Sequence, residues 1–377
     1  MANHNGIISM SIRLEITKRE DAKEALRSQR LVSVELDAGK RVILDPANKH
    51  SPGFVDVLIG LSELKLPAYF ELDPEKNSVK RVLIPKIGYL VAFRETEKGF
   101  EFQLDTSHGR YLIKRDSSIW KEGTEALNKA QDQRTPIILT VDDANQILDI
   151  RPSPEKPKDF PEGPVIRREY RLRQIWWRIF YWRIWPWRWW CWLRCATPQR
   201  AQEIFDAMKA LTCDPNAIAS PCIPFLYPDD GCWGRAHEMR RLMLEMGVSS
   251  RKIWIFGSLV TPTRNNPYCN VYWGWHVAPT ICVRRILKWW PWRLFCFTRR
   301  MVIDPSLFNT PVTPEQWKSA QGDPNATLAH TAGLIFLYWG NQTDNDYSKT
   351  NTVLASYRLA LQNRVNQHGP PPYANCP

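Results

Sequence analysis

Two hydrophobic rhythms divide this chain of 377 residues. From about residue 10 to 150, apolar and polar positions alternate in short runs broken by turn residues, the pattern of half-buried strands. In LVSVELDAGKRVILDP (31–46) two alternating runs flank Ala38-Gly39, which predicts a hairpin. The stretch from 80 to 115 predicts several more strands, with turns at Glu97-Lys98-Gly99 and at His108-Gly109. RTPIILTVDDANQILDI (134–150) predicts a last hairpin turning over Asp142-Asp143-Ala144-Asn145. Short strands at this spacing predict a small β-rich domain over 1–150, a barrel or a sandwich. Its carboxylates and lysines are scattered as on a solvated face, and nothing in it predicts chemistry.

RPSPEKPKDFPEGP is proline-rich and charged, so residues 151–165 are expected to form an extended linker. Beyond it the rhythm changes. The pattern is helical from about 197 to 247, strand-like from 252 to 304, and helical again near 350–366. Helix first and strands afterwards predicts an α+β domain over 166–366. Residues 367–377, ending in GPPPYANCP, are expected to be a loose tail.

Composition alters this picture in three ways. A formal charge of +12 points to acidic partners such as anionic lipid, nucleic acid or acidic protein surfaces. Nine cysteines without paired CxxC spacing predict neither a zinc site nor a clear disulfide framework, which makes a reducing compartment the default. The start lacks a basic region followed by an apolar one, and there is no run of about 18 apolar residues. A cytoplasmic or peripheral-membrane location is therefore the default expectation, with export by a route needing no signal peptide left open.

The stretch PFLYPDDGCWGRAHEMRRLMLEMG (224–247) carries the chemistry. Ala236, Met239, Met243 and Met246 recur at helical spacing, and Gly247 suits the residue after a helix end. Asp229 or Asp230 can cap the start, which places Cys232 in the first turn. There the positive end of the helix dipole favours a thiolate. A buried structural cysteine fits the spacing equally well. In NVYWGWHVAPTICVRRI (270–286), alternation puts Val271, Trp273, Trp275 and Val277 on one face and His276 on the other, beside Tyr272, Gly274 and Ala278. A hydrogen-bonded core histidine is the competing reading. Asp304 follows at a strand end in MVIDPSLF (301–308), where a simple turn-capping role competes.

Three runs in this order resemble the bacterial protein-glutamine glutaminases: IPFLYPDDGCWGRAHEMR (223–240), WHVAP (275–279) and VIDPSLFNTPVT (302–313). The resemblance covers roughly 200 to 320. It implies a papain- and transglutaminase-like core with Cys232, His276 and Asp304 as nucleophile, base and orienting carboxylate. It also implies deamidation of accessible glutamines in protein substrates, through a thioester and without a cofactor or metal. The backbone N–H of Cys232 is the first candidate to stabilise the oxyanion, with an indole N–H of Trp273 or Trp275 as a weaker second. Transglutaminase-type transfer to amines and papain-like cleavage share this triad. A non-catalytic module binding a membrane or a partner on the same scaffold is the alternative of another class. Residues 1–165 carry no such resemblance, so a docking module and a cover over the site are both open for them.

Two segments fall outside the family pattern, 166–195 and 285–300, which share the tetrapeptide Trp-Pro-Trp-Arg. The second predicts a hairpin with Trp289, Trp290, Pro291 and Trp292 at its tip. Tryptophan with arginine suits an anionic membrane surface, a protein partner or mutual packing, and single-stranded nucleic acid less well.

Overall fold

The structure, a computed structural model, describes residues 6–16, 18–153, 195–290 and 293–377. The linker beyond Ser153 and the first tryptophan-arginine segment up to 194 lie outside the described residues, as do Pro291 and Trp292.

In residues 6–153 the expected hairpins form. Val32–Leu36 pairs with Arg41–Leu44, with Gly39 at φ 71°, and Ile137–Val141 pairs with Ile147–Pro152. In the second turn Asp142 Oδ1 accepts from the N–H groups of Ala144 and Gln146. The strands do not join into one closed barrel sheet. They form four three-stranded antiparallel sheets, covered by helices that the alternating pattern did not predict. These are α1 (Arg19–Arg27), α2 (Ser51–Leu64) and α3 (Trp120–Gln133). In α1 Ala22, Ala25 and Leu26 are buried, and in α3 Gly123, Ala126, Leu127 and Ala130. Small residues at helical spacing let each helix lie close to its sheet. Two separate apolar cores result, one around Phe54, Leu58 and Phe70 and one around Phe102, Leu127 and Leu139.

The later residues follow the expected helix-then-strand order. Helix α4 (Pro198–Ala210) starts at Thr197, whose side chain accepts from Arg200 N–H, with Pro198 at the first helical position. Helix α5 (Cys232–Glu245) ends before Gly247, whose φ of 76° is the left-handed turn expected there. A four-stranded antiparallel sheet comes next, in the order Arg293–Val302, Asn270–Trp290, Arg251–Pro262, Thr327–Ala332. The predicted 285–300 hairpin is the pairing of its first two strands. The short α6 (Pro314–Ser319) and the long α7 (Ser348–His368) complete it. Trp233, Trp254, Trp273, Trp275 and Trp317 are all fully buried. Each removes roughly 150–250 Å² from water, worth about 4–6 kcal/mol as an upper estimate. Five of the chain's eighteen tryptophans are therefore core.

Two expectations are corrected. Six cysteines pair as Cys195–Cys282, Cys213–Cys222 and Cys269–Cys376, and Cys232 is the free thiol among the described residues. The bridges join residues 9 to 107 positions apart, a pairing that spacing alone does not reveal. The C-terminal segment is not loose: Cys376 is bridged to the 269 loop, Tyr373 N–H donates to Arg264 O, and both residues are buried.

Helix α7 ties the two halves together. Its Leu359 packs against Gly60 of α2, Asn363 Nδ2 donates to Val82 O, and Arg364 reaches Asp143 and Asp229 at once.

Candidate active site

Cys232 opens α5, preceded by Gly231 in the left-handed conformation at φ 79°. Neither Asp229 nor Asp230 caps the helix in the expected way. Asp229 instead pairs with Arg364 and accepts from Asn266, while Asp230 turns back towards the first half of the chain. The sulfur is 1% exposed with its residue. Burial pushes the thiol pKa well up, opposed by the Arg235 guanidinium and by the Val277 backbone N–H aimed at the sulfur. Arg235, one helical turn on, is itself buried and donates through Nη1 to Tyr227 O and Asp230 O.

His276 and Asp304 come together although 28 residues apart. His276 Nε2 donates to Asp304 Oδ2 at 2.9 Å, and Trp317 Nε1 donates to the same oxygen at 2.8 Å. Asp304 Oδ1 accepts from the Ser306 hydroxyl and backbone N–H. The imidazole lies between the rings of Trp273 and Trp317, at 4.5 and 5.5 Å. Burial would raise the Asp304 pKa, but His276 and the hydrogen bonds from His276, Ser306 and Trp317 hold it below the ordinary carboxylate value. Burial lowers that of His276, with Asp304 opposing. A carboxylate on one ring nitrogen fixes the tautomer and leaves Nδ1 as a buried lone pair without a hydrogen-bond partner, and a ring nitrogen of His276 lies within 4.8 Å of the Cys232 sulfur.

One detail of the histidine strand differs from simple alternation. Pairing with the neighbouring strand shifts between Phe256 and Leu259, opposite Gly274. Trp275 and Val277 pack with Cys232, whereas Trp273 joins Ala278 and stacks on His276. A bulge twists a strand and re-aims its side chains. The indole N–H groups of Trp233, Trp273 and Trp275 are buried and lack a hydrogen-bond acceptor.

Sequence reasoning missed the contribution of the first half. His108-Gly109 does lie in the connection between the antiparallel strands Gly99–Leu104 and Tyr111–Lys114, but that connection is buried. Residues 108–110 run antiparallel to the edge of the histidine strand: Gly274 N–H donates to His108 O at 2.9 Å and Arg110 N–H to Tyr272 O at 3.0 Å. The His108 ring is fully buried, 5.1 Å from Trp273 and 5.7 Å from His276. Gly274 has no side chain where Gln103 sits; a Cβ there would lie 2.0 Å from its Nε2. Nor are the charges of 6–153 all solvated. Lys86 Nζ donates to Asp230 Oδ2 at 2.6 Å, and Ser107 Oγ and His108 N–H donate to the same carboxylate. Asp230 is fully buried, yet Lys86 beside it keeps its pKa below the ordinary value. A lysine expected on a solvated face and a histidine expected in a turn thus meet the loop that carries Cys232.

A buried thiol at a helix start, with an imidazole held by a carboxylate on the adjoining sheet, is the constellation of cysteine-nucleophile acyl-transfer enzymes. Residues 201–321, which contain all three side chains, match the model of a glutaminase family. A solved mutant of pro-protein-glutaminase is similar at 24% identity and a TM-score of 0.50, over 72% of this chain and 91% of that one. Another pro-protein-glutaminase structure is similar at 21% and 0.47, over 77% and 97%. The protein-glutaminase from Chryseobacterium proteolyticum is 30% identical over 42% of this chain and 84% of that one, at a TM-score of 0.35. No curated protein matches. The chain belongs to the protein-glutaminase family. Seventy-two per cent of it is more than the residues after 194 supply, so the likeness in fold to the pro-form reaches into the first half.

Proposed function

We propose that this enzyme deamidates glutamine side chains in proteins, with Cys232 as nucleophile, His276 as base and acid, and Asp304 as the group that orients His276. The observation that carries this reading is the 2.9 Å bond from His276 Nε2 to Asp304, which turns the Nδ1 lone pair towards the thiol. Cys232 transfers its proton to His276 and attacks the side-chain carbonyl carbon of glutamine. Negative charge then gathers on the carbonyl oxygen, where the Cys232 backbone N–H and an indole N–H can meet it. As the intermediate collapses, His276 protonates the departing nitrogen, and ammonia leaves a thioester on Cys232. Water, deprotonated by His276, attacks the thioester; the C–S bond breaks, and glutamate and the thiol are released. No cofactor enters these steps.

Residues 198–366 are read as a papain- and transglutaminase-like core, since the helix bearing the thiol packs on the antiparallel sheet bearing the imidazole. Residues 6–153 form a separate β-rich module with its own two cores. It is read as a cover, because residues 107–110 occupy the edge and the space beside Cys232 that a substrate needs. The 151–165 segment is where a cut would free it. Three disulfides favour work in an oxidising compartment.

The test is ammonia release from a glutamine-rich protein by the chain before and after cutting within 151–165, with gels for cross-links and fragments. Ammonia after cutting, with neither cross-links nor fragments and none in Cys232→Ala, is the expected result. Cross-links would move the reading to amine transfer. Activity retained in Cys232→Ala would refute it.

A further inference from the structure

The covered state places a third soft donor beside the thiol and the imidazole. One ligand atom from each of His108, Cys232 and His276 lies within 4.8 Å of the others, and all three residues are buried. His108 comes from the module and the other two from the core. The two imidazoles are oriented alike. His108 Nε2 meets the carbonyl oxygen of Asp229 at 2.9 Å, and a carbonyl can only accept, so that nitrogen carries the proton. His276 Nε2 is committed in the same way to Asp304. Both Nδ1 atoms are therefore lone pairs, and both are buried with no hydrogen-bond partner.

A buried acceptor without a donor costs free energy, and two facing one thiol call for a shared partner. An imidazole whose far nitrogen is held by a carboxylate or a backbone carbonyl is the arrangement that orients histidine ligands to zinc. Sulfur with two imidazoles suits a thiophilic, borderline divalent cation and rejects magnesium or calcium.

We propose that the uncut chain binds one such cation, zinc by class, through His108, Cys232 and His276, and that the ion locks the cover over the site. The inference rests on reading residues 107–110 as occluding the site. Zinc sits about 2.3 Å from sulfur and about 2.0–2.1 Å from nitrogen, which sets the donors roughly 3.5 Å apart. The widest pair has to draw in by little more than an ångström, and side-chain rotation supplies that. Binding releases the thiol proton to water and leaves the fourth tetrahedral position to a water molecule. Asp230 and Asp304, each beside one imidazole, offset the added positive charge. Once the module leaves, only Cys232 and His276 remain, too few to hold the ion tightly.

The test uses the full-length uncut chain and cobalt(II) as an optical stand-in for zinc. One equivalent is expected to give a sulfur-to-cobalt band in the near ultraviolet, absent in Cys232→Ala. His108→Gln, which keeps the size of the ring but not its ligand nitrogen, is expected to bind at least about a hundredfold more weakly. Zinc added to the uncut chain should also slow alkylation of Cys232, and a chelator should reverse this. A missing band, or equal affinity in His108→Gln, overturns the proposal. Ammonia release by the cut, metal-free chain is a separate arm that tests deamidation alone, so the two failures are distinguishable.

Discussion

Lys86→Met probes the cover where its energy is concentrated. The ammonium of Lys86 lies 2.6 Å from a fully buried carboxylate, Asp230, two residues before Cys232. Methionine keeps the apolar stem and removes the charge. Leaving one member of a buried ion pair unpartnered costs about 3–5 kcal/mol. Ser107 Oγ, His108 N–H and Gly231 N–H still donate to Asp230, so the lower end, about 3 kcal/mol, applies here. That penalty falls on the docked state alone, because Asp230 regains water once the module lifts. At about 1.4 kcal/mol per tenfold, the open population rises roughly 150-fold. The assay is iodoacetamide alkylation of Cys232 in the uncut chain, followed by intact mass, with ammonia release in parallel. At iodoacetamide concentrations low enough that reclosing outpaces alkylation, the rate follows the open population. Lys114→Met, at an exposed position, is the control. If Lys86→Met alkylates at the parent rate while the cut chain reacts fast, the Lys86–Asp230 pair does not hold the cover.

Other consequences can be checked alongside it. Trp317→Phe removes the 2.8 Å hydrogen bond to Asp304 but keeps a ring against His276; in the cut chain kcat per titrated Cys232 thiol should fall by about tenfold with KM little changed, and an unchanged kcat would refute the orienting role of this bond. Burial holds the pKa values of His108, His276 and His237 down, that of His237 to about 3. Below about pH 6.5 the unfolded chain takes up protons that these folded histidines refuse, so each removes about 1.4 kcal/mol of stability per pH unit until its folded pKa is reached. Asp105, pushed up to about 6 by burial, takes up a proton in the fold and offsets one of the three. Calorimetry from pH 7 to 4.5 should show Tm falling, and a flat or rising Tm would refute this. Replacing Cys269 and Cys376 by serine opens a closure spanning 107 residues, worth about 4–5 kcal/mol in the chain-entropy account. The variant should melt well below the parent, as should the parent after reduction.

How much of this was legible in the residues differs by element. Helix α5 and its Gly247 stop were written in local spacing, because a helix needs only apolar residues three and four apart and a residue free to turn left. The hairpins at 31–46 and 134–150 were equally local. The three triad positions were individually ambiguous, and long motifs in order, not spacing, brought them forward. Helices α1 and α3 escaped notice because alanine and glycine bury small faces that carry little hydrophobic signal. The disulfides, the anchored tail and the stacking of Trp273 on His276 depend on which strands meet and where a bulge falls, and neither is a local property. The role of His108, Lys86 and Ser107 was least accessible. Each reads as an ordinary polar residue until the two halves dock, and only then do they share a buried space with Asp230 and Cys232. The sequence by itself determined the chemistry this chain carries, since reactive groups are residue types. Tertiary structure alone decided that residues 107–110 lie against Asp230 and the histidine strand, since that contact joins segments more than a hundred residues apart.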